Sequence, residues 1–148
     1  MDMTFQEKSA WGLLVGIGLV SYFYFPAAFD IADSVPHGAP LIVISIVGVV
    51  ALVIFEAIYH ACIAIRDRKD AGDGDERDRL IDLKAERIGS YALGIGLFWL
   101  VGQIIATHSS ERLEPMSALT IGVWILFALT ASEIAKLIAQ IVYYRRDA

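Results

Sequence analysis

The stretch "PLIVISIVGVVALVIFEAIYHACIAI", Pro40 to Ile65, decides the fold. A hydrocarbon core about 30 Å thick needs about 20 mostly apolar residues in a helix. This run exceeds that, and only Glu56 and His60 interrupt it. Three more segments meet the same requirement: Ser9 to Phe29, Ile88 to Thr107 and Pro115 to Tyr144. The first and third carry no charge, while the fourth holds Glu133 and Lys136. With 57% hydrophobic residues among 148, the chain lies above the roughly 45–50% apolar usage of ordinary globular domains. The expectation is an all-α polytopic membrane protein, a single transmembrane domain over 1–148 with spans at about 9–29, 40–65, 88–107 and 115–144.

Lys and Arg outside the spans set the orientation, because short basic loops stay in the cytoplasm. Arg66, Arg68, Lys69, Arg77, Arg79, Lys84 and Arg87 cluster between spans two and three, Lys8 precedes span one, and Arg145 and Arg146 follow span four. The other two connections hold only Arg112. Both termini and loop 66–87 are therefore expected on the cytoplasmic side. The residues ahead of the first span (Asp2, Glu7, Lys8) lack the positive n-region of a cleaved signal peptide, and that span is longer than a usual h-region. Trp11, Tyr22, Tyr24, Tyr143 and Tyr144 fall where interfacial aromatic belts belong, whereas Trp99 and Trp124 are expected to pack between helices. Cys62, the sole cysteine, rules out an intrachain disulfide and is expected to be a packed thiol.

Within loop 66–87, "DAGDGD" reads as a flexible acidic linker without EF-hand spacing. From Asp75 onward, opposite charges recur three or four apart, and Ile81, Ala85 and Ile88 share a face, predicting a charged cytoplasmic helix that runs into span three. The halves also repeat. "GIGL" occurs at Gly16–Leu19 and Gly94–Leu97, Glu7-Lys8 is echoed by Glu86-Arg87, and Glu56 with Glu133, like Arg68 with Arg145, is separated by almost the same offset as the two "GIGL" motifs. Two parallel helical-hairpin repeats are expected, related by an axis along the membrane normal. Gly12, Gly16, Gly18, Gly94 and Gly96 are candidate packing notches, since small residues let helix backbones approach in lipid.

A charge near the bilayer centre costs about 2.5–3.5 kcal/mol on insertion scales, so each calls for a partner or water. Glu56 and His60 share one stripe of span two, and Glu133 and Lys136 share one of span four. A single polar cluster of Glu56, His60, Glu133 and Lys136 between helices two and four is expected. It would fix helix register, or bind and release protons or a cation. His60, Glu56 and Glu133 are weak candidates for a metal or haem site, one inward His supplying too few nitrogens. No cofactor is predicted. His37 and His108 have no nucleophile pattern beside them, and G-x-S-x-G, P-loop and Rossmann patterns are absent. A non-enzymatic accessory, scaffold or sensor-like component is expected, with a small proton- or cation-coupled transporter as the alternative. The partners expected are the bilayer and a homo-oligomer or another membrane protein, not nucleic acid.

"FQEKSAW" (Phe5 to Trp11), "DERDRLIDLKAERIGSYALGIG" (Asp75 to Gly96) and "YYRR" (Tyr143 to Arg146) together bear on family. The chain resembles a family of small, uncharacterised four-helix bacterial inner-membrane proteins. They share an F-x-E-K-S-A-W start, a D-E-R-D stretch before the third helix and a basic C-terminal end. The resemblance covers nearly the whole chain, implies four-helix topology and bacterial inner-membrane placement, and transfers no functional residue. Small multidrug exporters also have four helices and a membrane Glu, but theirs lies in the first helix, where this chain has none.

Overall fold

The computed structural model describes residues 5–34, 38–66, 76–110 and 114–146; for Phe5, Glu56, His60 and residues 63–66 it describes the backbone alone. The described residues form four helices and no strand: α1 (Phe5–Ser34), α2 (Ala39–Arg66), α3 (Glu76–Ser109) and α4 (Ala118–Arg146). All four are long and apolar enough to cross a membrane.

Local chemistry sets the helix ends. Pro40 sits in the first turn of α2, where a missing N–H removes no intrahelical bond. Ser117 caps α4, its Oγ accepting the Thr120 N–H at 3.0 Å. Glu76 and Asp78 lie in the first turn of α3, and Arg145 and Arg146 in the last turn of α4, each matching the helix dipole. α3 is one continuous helix of 34 residues, so the charged segment and the third apolar run are a single rod about 51 Å long.

The helices pack in the order α2, α1, α4, α3, and no comparable seam joins α2 to α3 among the described residues. On the α1–α2 seam a Cβ at Gly12 would fall inside the Tyr59 ring, and one at Gly16 would lie 2.5 Å from Phe55 Cδ1. With that space open, the Tyr59 hydroxyl donates to the Lys8 carbonyl at 2.6 Å. Farther along, Tyr24 and Ser45 share a hydroxyl hydrogen bond of 2.8 Å. The α1–α4 seam holds two apolar clusters. Ala10, Leu137 and Ile141 pack with Trp11 and Leu14, and Phe25, Ala28, Ala32 and Val123 pack with Phe29 and Leu119. Trp124 links three helices, its ring centroid 4.9 Å from both Phe29 of α1 and Trp99 of α3.

Small residues line the α3–α4 seam. Ile81, Ala85 and Gly89 are buried on α3, facing a helix whose own buried residues include Ala128, Ser132 and Ala139. Gly89, not Ile88, completes the buried stripe, and Ile88 is at the margin of exposure. A Cβ at Gly96 would lie 3.1 Å from Ala128 Cβ, whereas around Gly18 and Gly94 the space is open.

The accessible surface is 10114 Å², against about 7,500 Å² for a compact water-soluble monomer of this mass. Much of the excess is apolar. Val43, Val47, Val50, Ile54 and Ile58 are all exposed, as are Ile42, Ile46, Val49 and Val53, so the half of α2 turned away from α1 offers apolar surface. Cys62 belongs to this exposed surface; the expected packed thiol is not found, because no helix covers that side of α2.

Candidate functional site

The open arrangement leaves a cleft of about 580 Å³ with α1 and α4 at its back and α2 and α3 as its sides. Ile17 and Leu52 mark one end and Tyr24, Phe25 and Ser45 the other, with Val20, Val49, Leu93 and Leu129 between. Eight residues of α1 separate Ile17 from Phe25, which makes the cleft about 12 Å long. The Tyr24–Ser45 hydrogen bond spans its far end.

At the near end stands an ion triad. The Lys136 ammonium lies 2.8 Å from Glu86 Oε2 across the α3–α4 seam and 3.3 Å from Glu133 Oε1, three residues back on its own helix. Gly89 makes this possible. A Cβ there would come 3.1 Å from Lys136 Cβ and 3.2 Å from the Ser132 carbonyl oxygen, so only glycine admits α4 this closely one turn beyond Glu86. One turn in the other direction, Gln140 donates to Asp82 Oδ1 at 2.7 Å, setting the same register. The Lys136 side chain is 26% exposed, while those of Glu86 and Glu133 are 62% and 49% exposed, so the carboxylates face the opening. Two carboxylates and one ammonium leave the triad with a formal charge of −1.

Of the polar cluster expected between helices two and four, the described side chains are those of Glu133 and Lys136. Glu133 and Lys136 are together, and their partner is Glu86 of α3. The side chains of Glu56 and His60 lie outside the described residues. Glu86 was legible as a member of a charged run and of the pair that echoes Glu7-Lys8, not as a partner of Lys136. Its signal was its place one turn before Gly89, on a helix whose Ile81 and Ala85 needed a neighbour. Ser90, Thr130 and Ser132 also line the cleft; Thr130 Oγ1 donates to the Leu126 carbonyl at 2.9 Å and Ser132 Oγ to that of Leu129 at 2.8 Å. Their protons are committed to their own helix.

A second charged contact ties the chain's two ends. Arg145 Nε donates to Glu7 Oε1 at 3.2 Å, with the Glu7 side chain only 10% exposed. The Arg145 guanidinium also sits 5.5 Å from the centroid of the Trp11 ring. Among the described residues no three His, Cys, Asp or Glu side chains converge as a metal-holding group. No family model, curated protein or solved structure matches this chain, so the chemistry of the cleft rests on these residues.

Proposed function

We propose that this chain is a four-span integral protein of the bacterial inner membrane that works without catalysis, as an accessory, scaffold or sensor-like component. Both termini and residues 66–87 lie in the cytoplasm in this reading. A homo-oligomer or another membrane protein is its partner. The observation that carries the reading is the pairing of Lys136 with Glu86 and Glu133: the ammonium is held by two carboxylates, as a register-fixing contact requires. Membrane insertion is supported by α2, whose apolar side chains are exposed over the half of the helix turned away from α1.

A hairpin repeat is supported by a recurring contact. Gly12 lies against Tyr59 in the first half and Gly89 against Lys136 in the second, both members displaced by 77 residues. Glu56 and Glu133 keep the same spacing. The likeness holds within each hairpin; an α2–α3 seam equivalent to that of α1 with α4 is not packed among the described residues.

The half-exposed Glu86 and Glu133 carboxylates favour a second reading, a proton- or cation-coupled transporter. Proteoliposome flux of protons and monovalent cations, measured with wild type and Glu86→Gln, separates the two. The scaffold reading expects no flux in either protein and weaker assembly of the variant in size exclusion. A gradient-driven flux abolished by Glu86→Gln would refute it.

A further inference from the structure

We propose that the four-helix cleft binds a single-chain amphiphile with an ammonium head, its apolar tail lying between α2 and α3 and its head beside Glu86 and Glu133. The proposal rests on the membrane reading, because an apolar cleft open between two helices is filled from a hydrocarbon phase.

Size selects the kind of occupant. The cleft is about 12 Å long and lined between its ends by Val20, Val49, Leu93 and Leu129, so it takes an extended apolar chain along its length. Its volume of about 580 Å³ falls within the roughly 300–1,000 Å³ of small-molecule sites.

Charge selects the head. An anionic head would meet Glu86 and Glu133, whose only counter-charge in the triad, Lys136, is already shared between them. A neutral head gains no ion pair. An ammonium restores the triad to neutrality and donates to carboxylate oxygens that the opening leaves accessible, the stronger class of hydrogen bond. The other end offers no charged group, only the neutral hydroxyl pair of Tyr24 and Ser45. The cleft is therefore charged at one end only, as an ionic amphiphile is.

The test is equilibrium dialysis of the full chain in maltoside micelles against radiolabelled dodecylammonium below its own micelle concentration, with dodecanol and dodecyl sulfate as comparisons and protein-free micelles as blank. The expected result is one site per chain and binding of dodecylammonium about tenfold tighter than dodecanol, the equivalent of about 1.4 kcal/mol. Glu86→Gln with Glu133→Gln should erase that preference while dodecanol binding persists. Val49→Trp or Leu129→Trp, which fill the cleft from opposite sides, should weaken both ligands; two such variants guard against one failing to fold, checked by helical circular dichroism. Equal affinity for the three chains, or retention of dodecylammonium by both tryptophan variants, would overturn the proposal, as would one-to-one displacement by phosphatidylethanolamine. Alkaline carbonate extraction tests membrane insertion separately. A chain that stays in the membrane but binds no ammonium refutes this inference alone, and a chain that is extracted refutes the membrane reading.

Discussion

Replacing Gly89 tests the reason α3 and α4 meet where they do. An added Cβ would stand 3.1 Å from Lys136 Cβ and 3.2 Å from the Ser132 carbonyl oxygen. Neither atom can swing aside, one being anchored at the backbone and the other part of it, so the helices must part by a few tenths of an ångström. Inserting a methyl into such a contact costs about 1–3 kcal/mol. Alanine in place of glycine returns about 0.5–1 kcal/mol of helix-forming free energy. The balance for Gly89→Ala is a loss of about 0–2.5 kcal/mol, and Gly89→Val, with two further methyls, should exceed it. Gly94 is on the same helix with nothing within 4 Å of its added Cβ. Gly94→Ala therefore keeps the helical gain and avoids the clash, and the difference between the two alanine variants isolates the packing cost, about 1–3 kcal/mol. Reversible unfolding in mixed micelles, followed by far-ultraviolet circular dichroism, measures both. Equal stability of Gly89→Ala and Gly94→Ala would refute the close-approach argument, and so would a Gly89→Val protein as stable as wild type.

Three further outcomes are expected. Lys136→Met should destabilise more than Glu86→Gln, because it leaves two carboxylates side by side, and a double-mutant cycle between Lys136 and Glu86 should give a coupling of about 0.5–1 kcal/mol given their exposure; zero coupling would show that the pair does not join the helices. Arg145→Ala should cost about 1–3 kcal/mol in unfolding experiments, since Glu7 is nearly buried and loses its guanidinium, and Arg145→Lys should restore only part of this. In a Cys62→Ser background, single cysteines at Asp73→Cys and Glu114→Cys should react with a membrane-impermeant maleimide from opposite sides of the membrane; labelling from one side would overturn the topology.

Four apolar runs of spanning length are a one-dimensional property, so helix number and approximate extent were legible from residue order alone. So were the ionisable residues Glu133 and Lys136 of the fourth apolar run, which stand out against their neighbours. Partner choice was not. Apart from the Glu56–His60 stripe α2 is apolar, so its composition does not say which helix covers the rest, and its place beside α1 follows from Tyr59 and Phe55 reaching over Gly12 and Gly16. Glu86 looked like one solvated charge among many, because a charged run reads alike whether it faces water or a neighbouring lysine. Only the approach of α3 and α4 at Gly89 brought it to Lys136. Residue order thus determined which segments become helices, through local burial and charge. Which helices touch, and the cleft that results where α2 and α3 do not, was decided by long-range packing of small against large side chains.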